Sequence, residues 1–337
     1  MLTSAIDTKD VNAMQAVREG VVVCDAFCED SDRSPWGLIR ISGDDRLRFL
    51  HNQSTNDLQS RKPGQGCDTV MVTSTARTID LVTAYILNDA VLLLVSPNRR
   101  QELMKWLDRY IFPADQVKLT DVTAETAILS LIGPQSHGVV EKLGAGDLIG
   151  QPNGNHILVG GVIVAVGSGL AAPGYTLILP RAEKQTWWEK IRSLGAGELS
   201  DRAWEMLRIL QGRPAPDSEL TDDYNPLEVG LWHTVSFNKG CYIGQETIAR
   251  LNTYKGVKQY LWGIRLSAAA ASGTVITIGE EKVGKLTSYT TTPDGHFGLG
   301  YIRSKAGGVG LKVQVGEAAG EIIAIPFVSH EYPSSNV

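Results

Sequence analysis

Residues 238–246 read Asn238-Lys239-Gly240-Cys241-Tyr242-Ile243-Gly244-Gln245-Glu246, and Thr247-Ile248-Ala249-Arg250 follow. A thiol becomes reactive when nearby positive charge or a helix N-terminus stabilises its thiolate. Lys239 supplies charge two residues before Cys241. Ile243 to Leu251 has a helical pattern with Glu246 in its opening turn, which sets Cys241 at or near the N-terminal end. Gly240 and Gly244 bracket the thiol and permit unusual backbone angles and close approach of a ligand. Gln245 offers both a donor and an acceptor. The segment reads as a thiol in a permissive loop with cationic and amide neighbours. The competing reading is a small buried residue in a turn.

The composition around this loop excludes several classes. The chain has 337 residues, 43% of them hydrophobic, which rules out intrinsic disorder. That length exceeds what one core fills, so two or three domains are expected. The net charge of −5 argues against a dedicated nucleic-acid binder. The cysteines, at 24, 28, 67 and 241, form no C-x-x-C pair and no zinc-ligand spacing with histidine. Reduced thiols in an intracellular compartment are the simpler expectation. The longest apolar stretch, His156 to Val166, is broken by Gly160 and Gly161. It falls short of the roughly 20 residues a bilayer span takes, so no membrane partner is expected. A cytoplasmic protein is expected, or one of an organelle stroma or matrix if a transit peptide has been removed.

Strands and helices alternate over the first two thirds. Strands are expected at Trp36–Ile41, Thr69–Ser74, Ile79–Leu87, Val91–Val95, Ile157–Val166 and Tyr175–Leu179. Helices are expected from Asp44, from Ser96 to Tyr110, over Arg181–Leu194 and over Ser200–Leu210. Beyond Val257 the pattern changes to Gly- and Thr-rich alternating runs: Tyr260–Leu266, Val275–Ile278, Lys282–Tyr289, Phe297–Ile302, Lys312–Val315 and Glu321–Pro326. These predict a small barrel or sandwich after a boundary near residue 255. Ser329–Val337 reads as a frayed tail. Gly167-Ser168-Gly169 follows a strand as a dinucleotide fingerprint would, but another strand follows it, so it reads as a turn. His233 reads as a packing or surface residue, Arg99-Arg100 as a solvated face, and Cys24 and Cys28 as buried structural thiols.

The string Lys239-Gly240-Cys241-Tyr242-Ile243-Gly244-Gln245-Glu246 resembles the K-G-C-x-x-G-Q-E signature of the YgfZ family of folate-binding proteins, and all six fixed positions match. Leu207-Arg208-Ile209, Gly212-Arg213-Pro214, Glu219-Leu220 and Asn225 to Leu231 resemble the same family and the related glycine-cleavage aminomethyltransferases. Ile39 to Asp45, Phe49-Leu50 and Thr55-Asn56-Asp57 resemble its opening strand, helix and turn. The likeness covers nearly the whole chain, with only the eight-residue motif highly specific.

The resemblance implies an α+β, three-domain, ring-like aminomethyltransferase-like fold with a C-terminal β-barrel and a central cavity for tetrahydrofolate or a derivative. The expected division is a folate-binding segment 1–125, which takes in part of 195–255, a second α+β segment 126–195, a motif-bearing segment 196–255 and a barrel 256–330. The resemblance also implies a role in assembling or repairing iron–sulfur enzymes, with an indirect effect on tRNA modification and no direct nucleic-acid contact. Cys241 would be the functional thiol, with Lys239 beside it and Gly240, Tyr242, Gly244, Gln245 and Glu246 completing the motif. A cluster normally takes four thiolates, so Cys241 would be a transient ligand of a cluster shared with a client, an assembly protein or a second subunit. A monomer or weak dimer is expected.

The aminomethyltransferases carry an acid after the L-R-I stretch, and here that place is Leu210, followed by Gln211. Their Gly-Gly-x-x-Asp-Asp segment corresponds to Ala76-Arg77-Thr78-Ile79-Asp80-Leu81, which keeps one acid. A pterin edge presents donors suited to a carboxylate, and charge-assisted bonds are about twice as strong as neutral ones. Asp80 is therefore the expected pterin acid. Arg77, Arg208 and Arg250 are candidates for the folate glutamate tail; for Arg250, an intrahelical pair with Glu246 is equally compatible. The alternatives to an iron–sulfur accessory role are a tetrahydrofolate-dependent aminomethyltransferase-like enzyme, which the missing acids disfavour, and a folate-sensing module.

Overall fold

Short apolar runs become strands here because neighbouring runs and overlying helices cover both of their faces. The structure, a computed structural model, describes residues 7–25 and 36–332; Cys28 lies outside these. The chain opens with α1 (Thr8–Glu19), β1 (Val22–Asp25), β2 (Gly37–Ser42) and α2 (Arg46–Gln53). It continues with β3 (Gly66–Val72), β4 (Thr78–Ile86), β5 (Ala90–Val95), α3 (Arg100–Asp108) and β6 (Lys118–Asp121). Next come β7 (Thr126–Ile132), α4 (Ser136–Lys142), β8 (His156–Val159), β9 (Val162–Val166), β10 (Gly174–Pro180) and α5 (Lys184–Ser193). A connecting region holds β11 (Gly197–Glu198), α6 (Asp201–Gln211), α7 (Pro226–Val229) and α8 (Gln245–Thr253). The last part holds β12 (Gln259–Leu266), β13 (Val275–Ile278), β14 (Glu281–Thr292), β15 (Gly295–Arg303), β16 (Lys312–Val315) and β17 (Ala318–Ile323).

Two sheets form the body, in the orders β3-β4-β5-β2-β6 and β11-β1-β7-β10-β9-β8. Strand alternation splits each sheet into two faces. In the first sheet Ile39, Ile41, Val82, Val91 and Leu93 pack under α2 and α3. Leu38, Tyr85, Leu92 and Leu94 point the other way and meet Ile128, Ile132, Ala165 and Ile178 of the second sheet. Trp204 and Leu207 of α6 and Val17 of α1 complete this shared core. The far face of the second sheet packs on α4 and α5. The two sheets are thus stacked face to face, with helices outside. The strand β1 pairs with β7, so the amino-terminal helix and strand belong with the second sheet rather than the first.

The carboxy-terminal strands close into a six-stranded barrel, in the order β12-β15-β14-β13-β16-β17. Its Leu261, Leu299 and Tyr301 pack on Val70, Val72 and Leu81 of the first sheet. Tyr301 stacks on Tyr224 with ring centroids 3.4 Å apart. Arg208 of α6 ties this junction: it is 3% exposed and bonds Glu205, Glu219 and Ser288.

The structure departs from the sequence pattern in a few places. Residues 157–166 are two strands of a hairpin, because Gly160 and Gly161 turn the chain at φ 56° and 87°. The helix expected from Ser96 starts at Arg100, since Asn98 adopts φ 65°. The helix α1 and the strand β6 form where none was expected. The tail from Ser329 is docked through residue 332: the Ser329 N–H donates to Gly230, and Tyr332 packs on Trp232.

Candidate functional site

The motif loop meets α2, the residues after it and the turn after β3 at three points. A helix leaves its last carbonyls without intrahelical donors. Behind α2, the Lys239 ammonium fills that need, donating to the carbonyls of His51 (2.5 Å), Ser54 (2.8 Å) and Asn56 (2.7 Å). It also lies 4.7 Å from the ring centroid of Tyr242. Tyr242 is itself buried against Trp232, Ile248 and Val257. The second point is the Ile243 N–H, which donates to Asn52. The third is Gly244, at φ 80°, where a Cβ would come within 2.9 Å of the Thr73 carbonyl. Between these anchors Cys241 is exposed, whereas Cys24 and Cys67 are buried.

This geometry revises the local reading of the motif. The three hydrogens of Lys239 are taken by backbone carbonyls, so its charge fixes the loop rather than standing free beside the thiol. Burial draws the Lys239 ammonium down to about 7, with the Asp57 carboxylate opposing. The helix α8 begins at Gln245 with Gly244 as its cap, so Cys241 precedes the helix and does not sit on its N-terminus. Gln245 is half-buried, and Glu246 and Arg250 are exposed on α8. Among the described residues, no group of three or more His, Cys, Asp or Glu side chains is arranged to hold a metal ion. Of the three described cysteines only Cys241 is exposed, so no set of thiolates for a resident cluster is gathered among the described residues.

A separate cavity of about 300 Å³ lies where the two sheets face each other. That is the lower end of the ordinary small-ligand range. Trp36, Trp204 and Phe327 supply aromatic surface, while Asp68, Asn153, Arg213 and His233 supply polar groups. Arg213 is 4% exposed and is held between Trp36 and Phe327, 5.0 and 5.4 Å from their ring centroids. Its Nη1 donates to the Gly169 carbonyl at 2.8 Å. Burial lowers the pKa of this guanidinium, and the carboxylates of Asp68 and Asp80 oppose that. Burial likewise lowers the pKa of His233. Flat aromatic walls with a carboxylate and a guanidinium fit a planar heteroaromatic ring with donors and acceptors on its edge. Cys241 does not line this cavity.

The residues expected to contact folate are elsewhere. Asp80, on β4, is fully buried; its Oδ2 accepts from the Ser96 N–H at 2.9 Å, and its Oδ1 has no partner among the described residues. Burial pushes its carboxyl up to about 6. Arg77 donates to the Asp223 carbonyl, Arg208 is consumed in the barrel junction, and Arg250 is on α8. None of the four lines the cavity. The acid and cation that do line it are Asp68 on β3 and Arg213 after α6. Arg213 belonged to the Gly212-Arg213-Pro214 string, but Asp68 carried no local signal. His233 and the Gly167-Ser168-Gly169 turn also line the cavity.

Two stacked sheets, a cavity between them and a docked six-stranded barrel define an aminomethyltransferase-like α+β protein, as the sequence led us to expect. The fold matches the crystal structure of glycine cleavage system aminomethyltransferase T from Bartonella henselae with a TM-score of 0.81, at 20% identity over 96% of this chain and 90% of that one. The family model described as "GCVT N-terminal domain" matches residues 6–239, and the chain belongs to that family. A relative from Arabidopsis thaliana, named as a chloroplastic "putative transferase", is 47% identical over 97% of this chain and 76% of its own length. The aminomethyltransferase of Rubrobacter xylanophilus is 27% identical over 88% of this chain and 82% of its own length. No helix among the described residues is long and apolar enough to cross a membrane.

Proposed function

We propose that the protein is a YgfZ-type, folate-linked accessory factor for iron–sulfur enzymes. In this reading tetrahydrofolate occupies the cavity between the sheets and Cys241 acts on a partner at the surface. The observation that carries the reading is the presentation of Cys241. It is exposed in a loop that Lys239 and Ile243 bond to α2 and the residues after it, and that Gly244 lets pack on the turn after β3. A thiol held outward, away from the cavity, suits transient ligation of a cluster carried by another protein, because one cysteine cannot complete a cluster's ligand set. The aromatic and polar cavity walls support the folate half of the reading. A bound folate would supply a one-carbon carrier or a stabilising ligand there.

The test is complementation of a strain that lacks the protein. Cys241→Ser is expected to fold, to bind tetrahydrofolate as the wild type does, and to leave iron–sulfur enzyme activity unrestored. Full rescue by Cys241→Ser would overturn the role of the thiol. A second reading, one-carbon transfer, draws support from the relatives named as aminomethyltransferases. Turnover of an aminomethyl donor with tetrahydrofolate by the purified protein would favour it.

A further inference from the structure

The cavity holds two charged groups that are incompletely used. Asp68 is oriented from both sides: its Oδ1 accepts from Thr83 Oγ1 at 2.6 Å and its Oδ2 accepts from Asn153 Nδ2 at 2.9 Å. A carboxylate has about four lone-pair sites, so each oxygen keeps capacity for another donor. Arg213 faces the converse need. A guanidinium has five N–H donors, and among the described residues its side chain makes one hydrogen bond, to the Gly169 carbonyl. Among the described residues no carboxylate lies at ion-pair distance from it; Asp68 and Asp80 act on it only at longer range. The rings of Trp36 and Phe327 fix its plane.

A ligand that completes both groups must donate at one point of its edge and accept at a neighbouring one. A simple anion would satisfy Arg213 and repel Asp68, and an amine would do the reverse. The edge of a 2-amino-4-oxo-pyrimidine meets both demands, with two adjacent N–H donors followed by a carbonyl oxygen. We infer that Asp68 and Arg213 read the pyrimidinone edge of a 4-oxo pterin: Asp68 accepts from the ring N–H and the 2-amino group, and Arg213 donates to the 4-oxygen. The inference rests on the folate reading above and names the residues that set its specificity. Asp68, on β3, does the work of the acid whose place on α6 is taken by Leu210.

A matched pair of ligands tests it. Tetrahydrofolate and tetrahydroaminopterin differ only in carrying oxygen or an amino group at C4. The 4-amino compound loses the ring N–H and points donors at the guanidinium, where a site built for an acceptor rejects it. Calorimetric titration of the full chain is expected to show tetrahydrofolate binding at least about tenfold more tightly. Asp68→Asn is expected to weaken tetrahydrofolate by about tenfold or more. Arg213→Met is expected to shrink the preference between the two compounds to the part that Asp68 sets through the ring N–H. That ratio is insensitive to a partly misfolded fraction, which lowers both signals alike. If Arg213→Met does not fold, Arg213→Lys, which keeps the charge and loses the planar fork, is expected to shrink the ratio. Equal affinities in the wild type, or unchanged affinity in Asp68→Asn, overturn the inference and leave the folate reading standing. Binding of neither compound by the wild type overturns the folate reading itself.

Discussion

Asp80 is an ionisable group held at a cost. Its Oδ2 has the Ser96 N–H, its Oδ1 has no partner among the described residues, and burial lifts its carboxyl from the ordinary 3.8 to about 6. Between those values the folded chain holds a proton that the unfolded chain has released. The Asp80 contribution to stability is therefore greatest below about 4, falls as pH rises from there to about 6, and stays lower above. Asp80→Asn removes this penalty. It is expected to be more stable than the wild type by about 1–3 kcal/mol at pH 7.5 and equal to it near pH 4. Urea unfolding at the two pH values checks this, and an equal difference at both would refute it. The site residues were unequally legible for a related reason. Cys241 and its neighbours announce themselves because the loop that presents them is contiguous in sequence. Asp68 sits at an ordinary strand position, and only the stacking of two sheets brings it to the cavity that Arg213 also lines. A local pattern cannot report a wall built from distant strands.

At the scale of elements, the motif loop and α8 act as one unit. Gly244 caps α8 in a left-handed conformation and lets the loop approach the 73–76 turn, where a Cβ would meet the Thr73 carbonyl at 2.9 Å and the Ala76 Cα at 3.0 Å. Gly240, three residues before the anchor at Ile243, has nothing within 4 Å of where a Cβ would be. The two motif glycines therefore have different reasons to be glycine. Gly244→Ala is expected to cost about 1–3 kcal/mol through backbone strain and the close contact. Gly240→Ala is expected to stay within about 0.5 kcal/mol. Chemical unfolding of both variants checks the contrast, and equal losses would remove the anchoring account. Most elements were legible because their period matched their burial: five of the barrel strands lie close to where alternation and turn residues put them, while β17 runs over Ala318–Ile323, three residues before the expected Glu321–Pro326. The hairpin at 156–166 reads as one strand in the sequence because the residues on both sides of Gly160 and Gly161 are apolar; only the strand pairing shows that the two glycines turn the chain. The helix α1 was not read because its apolar face is short; it is held by packing on α6 rather than by a strong pattern of its own.

Over the whole molecule, the cavity depends on a segment that leaves the barrel and returns to the body. After β17 the chain runs from residue 324 to 332 across the connecting region. The Phe327 N–H donates to Gln211, the Ser329 N–H to Gly230, and His330 Nε2 bonds the Leu261 carbonyl at 2.8 Å. Ile325 and Val328 are buried against Tyr224, Leu231 and Leu261. Pro326 and Phe327 line the cavity, so the barrel side contributes a wall to a site otherwise built by the two sheets. Fully burying a Val or Ile side chain is worth about 1.5–3 kcal/mol. Ending the chain after Ile323 is therefore expected to lower the melting temperature by about 5–15 °C, at a few degrees per kcal/mol for a chain of this size. It also removes one of the two rings that sandwich Arg213. Tetrahydrofolate affinity is expected to fall with it, by about tenfold or more, because the guanidinium loses its fixed plane and the cavity opens to water. Phe327→Ala in the full-length chain separates the two effects: it keeps Ile325 and Val328 docked, so ligand affinity should drop while most of the melting temperature is retained. A truncated protein that melts as the wild type does and binds tetrahydrofolate equally well would show that the returning segment is not part of the cavity's construction.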